Sequence, residues 1–121
     1  MARILIIDDE EALRKSLMAI IKKAGYEVME APDGREGIIL QKERAFDLIL
    51  TDIIMPEKEG IETIIELKKS FPDLKIIAMS GGGVMRSGTY LEVADALGAD
   101  YTIEKPFSKN KILSVIKELI G

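Results

Sequence analysis

Short apolar runs alternate with longer segments of helical periodicity along the whole chain. Four apolar runs have the composition of buried parallel strands, and a more polar, edge-like run lies between the first two. Together they predict strands at residues 4–7, 26–30, 48–50, 76–79 and 101–103, the third continuing to Thr51 and Asp52. Each run is followed by a turn or a polar segment, so five separate strands are expected.

Between these runs, apolar residues recur at intervals of three and four. Leu13, Leu17 and Ile21 define the first helix, which Gly25 is placed to end. Further helices are predicted near residues 35–44, 61–69, 91–97 and 112–119. Strands that alternate with helices predict a parallel sheet with right-handed crossovers and helices packed on it. The fold class is therefore layered α/β.

Composition restricts the classes of protein. The 121 residues are 47% hydrophobic and 31% charged, which is typical of one globular domain, here 1–121, and not of a disordered chain. The net charge of −4 and the lack of a basic stripe argue against direct nucleic-acid binding. No apolar run approaches the roughly 20 residues of a membrane span, and no signal peptide precedes the first strand. We therefore expect no membrane contact and a cytoplasmic location.

Two residue types are missing from the chain. It has no cysteine, which excludes disulfides, thiol nucleophiles and thiolate metal sites. It also has no histidine, the commonest acid–base catalyst and the usual ligand of zinc and haem. The chain therefore cannot donate a phosphoryl group from a histidine of its own, and any such donor must be another protein.

Polar residues follow four of the predicted strands, where each strand ends. They are Asp8 and Asp9, Asp52, Ser80 and Lys105. Because ligands bind beyond the carboxyl ends of the strands in open α/β sheets, we expect these side chains to share one pocket. Close carboxylates repel each other, so a lysine and a divalent cation would keep them ionised. Adjacent carboxylates suit Mg²⁺, and a carboxylate can accept a phosphoryl group. We place the nucleophile at Asp52.

Each of these residues also has an ordinary structural explanation. The acidic pair could favour a helix N-terminus, since Glu10 and Glu11 follow it. The strand-end aspartate could cap a loop, the serine could be a turn residue beside glycines, and the lysine could be solvated. Taken singly, these explanations are about as good as the functional ones. Their ordered combination favours a phosphoryl-accepting site.

The whole chain resembles a response-regulator receiver domain, the phosphoacceptor domain of two-component signalling. The matching segments are Ile6-Ile7-Asp8-Asp9-Glu10, Asp52 through Met55-Pro56 to Gly60, Ser80, and Gly98-Ala99-Asp100 into Lys105-Pro106-Phe107. The resemblance implies a doubly wound five-stranded parallel sheet of order 2-1-3-4-5, in a flavodoxin-like three-layer sandwich.

The resemblance also implies a metal site. Asp52 would be the phosphoacceptor. Asp9 and Asp52 would bind Mg²⁺ together with the backbone carbonyl of Ile54, and Asp8 would act mainly through water.

Further roles follow from the same resemblance. Ser80 and Lys105 would hold the phosphoryl oxygens, and the Lys105–Pro106 peptide would be cis. Thr102 occupies the position where receivers usually carry an aromatic residue, and Tyr101 lies one place earlier. One place in a strand means the opposite face, so the usual aromatic relay is not expected. The glycine-rich loop over residues 81–88 is also longer than the family norm.

The function implied is a phosphorylation-activated switch, not an enzyme acting on other substrates. Its phosphoryl donor would be a sensor histidine kinase or a histidine phosphotransfer protein, and its target would be another protein. The chain would catalyse only its own Mg²⁺-dependent phosphorylation and dephosphorylation. The alternative within the same fold is a pseudo-receiver, a constitutive protein-binding module that handles no phosphate.

Two other classes fit less well. A flavodoxin-like cofactor site could use Gly81-Gly82-Gly83, but no P-loop or complete G-x-G-x-x-G motif follows. A haloacid-dehalogenase-type phosphatase would need a second aspartate two places after Asp52, where the chain has Ile54.

Overall fold

Five parallel strands form the centre of the molecule. The computed structural model describes residues 2–53, 59–81 and 98–121. The sheet has the order β2-β1-β3-β4-β5. Its strands are β1 (Arg3–Ile7), β2 (Glu27–Ala31), β3 (Leu48–Asp52), β4 (Lys75–Gly81) and β5 (Tyr101–Lys105). The described helices are α1 (Glu11–Lys23), α2 (Gly34–Arg44), α3 (Glu59–Ser70) and α4 (Lys109–Ile120). The predicted strand order and α/β class are confirmed.

Some sequence predictions fall outside these ranges. They concern the backbone carbonyl of Ile54, the Met55-Pro56 segment, the helix near residues 91–97, and the glycine-rich loop beyond Gly81.

Helices cover both faces of the sheet, because successive side chains of a strand point to opposite faces. In β1, Leu5 and Ile7 point to one face, while Ile4 and Ile6 point to the other. The first face packs against α2 and α3, with Ile64 and Leu67 among the buried residues of α3. The second face packs against α1 and α4, through Leu17, Ile21, Ile112, Val115 and Ile116. The result is the predicted three-layer arrangement.

The helix ends follow local sequence signals. The polypeptide leaves α1 through Gly25, whose φ of +102° is strained for residues with a Cβ, so the prediction that Gly25 ends this helix is confirmed. Asp33 precedes α2 and accepts a hydrogen bond from the amide of Glu36. Ser108 does the same for the amide of Lys111 at the start of α4. These caps fix where the helices begin relative to the strand ends.

The strand register brings the polar strand ends together. Ile7 lies beside Thr51 in the β1–β3 pair, so the residues that follow, Asp8 and Asp52, are neighbours at the same edge. At the other side of the site, Gly81 of β4 lies beside Lys105 of β5. The carboxyl ends of β1, β3, β4 and β5 therefore surround one crevice.

Across the three described ranges, every helix is too short or too polar to span a bilayer.

Candidate functional site

Three carboxylates gather at the carboxyl edge of the sheet. Asp8 follows β1, Asp9 follows Asp8, and Asp52 is the last residue of β3. One oxygen atom from each lies within 4.8 Å of the others. Asp8 is fully buried and Asp52 nearly so, while Asp9 is exposed. The three acidic residues singled out in the sequence thus form one cluster, open to solvent at Asp9.

Lys105 bridges the two buried carboxylates. Its Nζ donates to Asp8 Oδ2 at 2.8 Å and to Asp52 Oδ2 at 3.0 Å, and its side chain is only 17% exposed. Burial lowers the pKa of this ammonium, but the hydrogen bond from Lys105 to Asp8 and the charge of Asp52 outweigh burial, so the pKa is raised. Lys105 is therefore a permanent cation in the site. The sequence predicted that Lys105 shares a pocket with the carboxylates, and the structure shows that it contacts Asp8 and Asp52.

The charges of this group do not cancel. Among the described residues, three carboxylates face one ammonium, so two negative charges remain within a few ångströms. Carboxylate oxygens in such an arrangement are hard ligands, of the kind that Mg²⁺ binds through one or two carboxylates and several waters. The donor set and its residual charge fit one divalent cation.

Asp8 is also tied to its own backbone surroundings. Its Oδ1 accepts the amide of Glu10 at 2.9 Å, and its amide donates to the carbonyl of Ala31 in β2 at 3.2 Å. The helix-start explanation of the acidic pair is therefore partly correct for Asp8. This one carboxylate both orders the turn into α1 and binds Lys105.

Ser80 carries a buried hydroxyl in β4. The residue is fully buried, and its Oγ has no hydrogen-bond partner among the described residues. Buried polar atoms nearly always have a partner, so an exception calls for an explanation. A hydroxyl near the end of β4, beside the strand that carries Lys105, has the chemistry to donate to an anion bound in the crevice.

The residues near Lys105 match the sequence analysis in two respects. The Lys105–Pro106 peptide is cis, as expected. Tyr101 packs on the α1/α4 side of the sheet, and its hydroxyl accepts a hydrogen bond from Lys111 at 2.8 Å. Thr102 lies beside Ala78, which faces α2 and α3. The predicted separation of Tyr101 and Thr102 onto opposite faces is confirmed, while a role for Thr102 in the site remains a prediction.

Sequence reasoning missed Arg14. Its Nη1 donates to the carbonyl oxygen of Asp8 at 2.7 Å, and its Nε donates to Glu30 Oε1 of β2 at 2.7 Å. The position of Arg14 in the sequence does not predict these contacts. Glu30 is 16 residues away and contacts Arg14 only once β2 pairs with β1.

Comparison with known proteins places these features in a family. A sequence model of the response regulator receiver domain matches residues 4–117. The chain belongs to this family. It is 38% identical to the chemotaxis protein CheY of Thermotoga maritima over 118 residues, which cover 97% of this chain and 96% of that protein. It is 32% identical to the response regulator receiver protein CpdR of Brucella abortus, over 99% of this chain and 98% of CpdR.

The fold comparison agrees. The crystal structure of a CheY-like response regulator receiver domain protein from Methanospirillum hungatei superposes with a TM-score of 0.87 at 34% identity, over 98% of this chain and 92% of that one. Other curated relatives are longer, and the chain spans about half of their length. The chain is thus a receiver domain of the two-component response regulators, a signalling domain.

Proposed function

We propose that this receiver is a phosphorylation-activated switch that accepts a phosphoryl group on Asp52 in a Mg²⁺-dependent reaction. The observation that carries the proposal is the bridge from Lys105 to Asp8 and Asp52. It holds a nucleophilic carboxylate and a fixed cation at one point in a buried crevice. A structural ion pair would need one carboxylate, whereas this site keeps three in close proximity.

The metal would be held by Asp9 and Asp52, with the backbone carbonyl of Ile54 as a further ligand and Asp8 acting mainly through water. Asp9 supports this assignment because its carboxylate is exposed and is outside the hydrogen bonds and ion pairs of the described residues. When bound, Mg²⁺ would neutralise charge on the transferring phosphoryl oxygens. The three carboxylates of this set have one oxygen each within 4.8 Å of the others, so this part of the ligand set is gathered before the cation arrives.

In the transfer step, an oxygen of the Asp52 carboxylate attacks phosphorus in line with the leaving group. The phosphorus–nitrogen bond of a partner's phosphohistidine breaks, and its electron pair stays on the imidazole nitrogen, which then takes a proton from solvent. The donor must be another protein because this chain contains no histidine. A sensor histidine kinase or a histidine phosphotransfer protein fits this requirement.

After transfer, the new phosphoryl group needs cationic and hydrogen-bond partners. Lys105 Nζ lies 3.0 Å from an Asp52 oxygen, so it reaches a phosphoryl oxygen attached there without leaving the site. The Ser80 hydroxyl would donate to another oxygen and thereby gain the partner that it lacks. Movement of Ser80 toward the phosphoryl group would carry the signal to a downstream protein. Hydrolysis of the acyl phosphate in the same site would reset the switch.

Intact-mass spectrometry tests the proposal. Incubation with acetyl phosphate and Mg²⁺ should add one phosphoryl group to the wild type and none to Asp52→Asn. Asp47→Asn is the matched control, because Asp47 precedes the same strand at its opposite end and should leave labelling unchanged. A beryllofluoride adduct should require the same residue and the same metal.

Equal labelling of the wild type and Asp52→Asn would refute Asp52 as the acceptor. A wild type that takes no label from acetyl phosphate or from a phosphorylated histidine kinase would instead favour the pseudo-receiver.

A further inference from the structure

We infer that Arg14 is a positioning residue for the metal site, and that it acts by fixing the peptide group between Asp8 and Asp9. This inference rests on the proposed function, because it concerns the affinity of the carboxylate cluster for a divalent cation. Arg14 lies in the first turn of α1, and its side chain is only 12% exposed. Its placement is therefore defined by contacts within the protein.

The contact that matters is the one to Asp8. Arg14 Nη1 donates to the Asp8 carbonyl oxygen at 2.7 Å, and that carbonyl belongs to the peptide group that also contains the Asp9 amide. A peptide group is planar, so fixing the direction of its carbonyl restricts the backbone angles on either side. Arg14 thus sets the backbone orientation from which the Asp9 carboxylate extends. Asp9 needs such a restraint because no described residue donates a hydrogen bond to its side chain.

A second contact holds the guanidinium itself. Glu30 of β2 accepts from Arg14 Nε at 2.7 Å through one oxygen and pairs with Lys15 through the other. Arg14 therefore spans two fixed points, a carboxylate on β2 and a carbonyl after β1. The planar fork of arginine suits two acceptors at a fixed separation, whereas the single ammonium of lysine does not. Glu30 is shared between Arg14 and Lys15, so its single negative charge does not cancel both cations, and the role of Arg14 must be separated from its charge by experiment.

The same strands provide a matched control. Arg3 of β1 pairs with Glu27 of β2 at 2.8 Å and donates to the carbonyl of Arg44 at 2.8 Å. This arrangement reproduces an arginine between a β2 carboxylate and a backbone carbonyl, but at the opposite end of the sheet. The Arg3 pair is more exposed than the Arg14 pair, so Arg3→Ala should cost less stability. Its effect on the site should be absent, so it controls for loss of a β1–β2 arginine bridge as such.

The test is a Mn²⁺ titration followed by electron paramagnetic resonance, since Mn²⁺ shares the preference of Mg²⁺ for oxygen ligands. Loss of an outer-shell partner typically weakens metal binding by about 10- to 100-fold, so Arg14→Ala should raise the Mn²⁺ Kd at least about tenfold. Arg3→Ala should change it by less than about twofold, as expected for an exposed pair. Equal Kd values for Arg14→Ala and Arg3→Ala would overturn the inference.

Two further variants separate geometry from charge. Glu30→Gln keeps an oxygen acceptor for Arg14 Nε, so Mn²⁺ affinity should stay within about threefold of wild type. Arg14→Lys keeps the positive charge but loses the fork, so affinity should remain weakened, by at least about threefold. If Arg14→Ala does not fold, the Mn²⁺ affinity of Arg14→Lys tests the inference in its place. Full affinity in Arg14→Lys would show that charge suffices, against the inference.

A metal-free measurement distinguishes failure of this inference from failure of the proposed function. Backbone ¹⁵N relaxation in chelator should give a lower order parameter at Asp9 in Arg14→Ala than in Arg3→Ala. An unchanged order parameter at Asp9 would overturn the positioning role. A wild type that binds no Mn²⁺ would count against the proposed function, and the relaxation comparison would still decide the role of Arg14.

Discussion

Removal of the exposed carboxylate of the cluster should stabilise the metal-free protein. In Asp9→Asn the side chain keeps its shape but loses its charge, and Asp9 lies within 4.8 Å of the oxygens of both Asp8 and Asp52. Among the described residues, the cation that pairs with this cluster is Lys105, which is already shared between the two buried carboxylates. The substitution should therefore relieve unfavourable charge in the folded state.

The size of the effect follows from the distance. Two unit charges 4.8 Å apart repel by about 0.9 kcal/mol in water and about 3.5 kcal/mol at an effective dielectric constant of 20. The charge of Asp9 is repelled by two carboxylates and attracted by one ammonium, so the net interaction is roughly that of one repelling pair. Because Asp9 is exposed, the energy of that pair is close to the value for water. Loss of a negative charge near the N-terminus of α1 subtracts about 0.3 kcal/mol. The net gain is about 0.5 kcal/mol or slightly more, equivalent to about 2 °C in melting temperature for a domain of this size.

The assay is thermal unfolding followed by circular dichroism at low ionic strength. Asp9→Asn should melt above the wild type in chelator. In Mg²⁺ at about 100 times the Kd, the wild type should gain about 2.7 kcal/mol by mass action, and Asp9→Asn should lose most of that gain. Glu10→Gln is the matched control, because it removes the same charge from the next residue without touching the cluster. It should lower the melting temperature in chelator slightly, because Glu10 is the N-cap residue of α1 and its charge interacts favourably with the helix dipole. It should leave the Mg²⁺ response nearly unchanged.

A lower melting temperature for Asp9→Asn in chelator would refute this reasoning. It would mean that the helix-start role of Asp9 outweighs repulsion within the cluster. A rise of equal size in Glu10→Gln would also refute it, because the gain would then come from net charge and not from the site.

Two further predictions concern packing and pH. A Cβ on Gly60 would lie 2.4 Å from the Asp52 carbonyl oxygen and 2.5 Å from Ile53 Cα, so Gly60→Ala should lower the free energy of unfolding by about 1–3 kcal/mol; an unchanged urea midpoint would contradict this. Hydrogen bonds from Lys15 and then Arg14 lower the pKa of Glu30. Its stabilisation is therefore present above its ordinary pKa of about 4.5 and lost as pH falls through the lowered folded value. The stability difference between wild type and Glu30→Gln, from urea unfolding at low salt, should shrink over that range, and a constant difference would contradict the assignment.

Much of this protein was readable from local pattern. Apolar runs of strand length, separated by helical periodicity, determined the α/β class, since a strand buried on both faces needs an uninterrupted apolar run. The positions of Asp52 and Lys105 immediately at strand ends placed them in one crevice, because parallel strands end at the same edge. Gly25 was recognisable as a helix end because the left-handed conformation that ends a helix favours glycine, a preference that is local to one residue. The strand order came from resemblance to the family, and the sheet confirmed it.

Other features depended on contacts between residues that are distant in the chain. The sequence placed Lys105 in one pocket with the carboxylates but could not show which of them it contacts, such as Asp8, 97 residues away. It could not show that the Ser80 hydroxyl is buried without a partner, because burial depends on the neighbouring strands and helices. Arg14 was missed for the same reason.

What the sequence by itself determined was therefore the kind of elements and the chemical groups at their ends. The tertiary structure alone decided which carboxylates accept hydrogen bonds from the same lysine and which carboxylate stays exposed. Periodicity is a property of neighbours along the chain, and the sequence displays it directly. The Arg14–Glu30 bond forms only after β1 has paired with β2, and the bonds of Lys105 form only after β3, β4 and β5 have paired. Their geometry therefore exists only in the folded sheet.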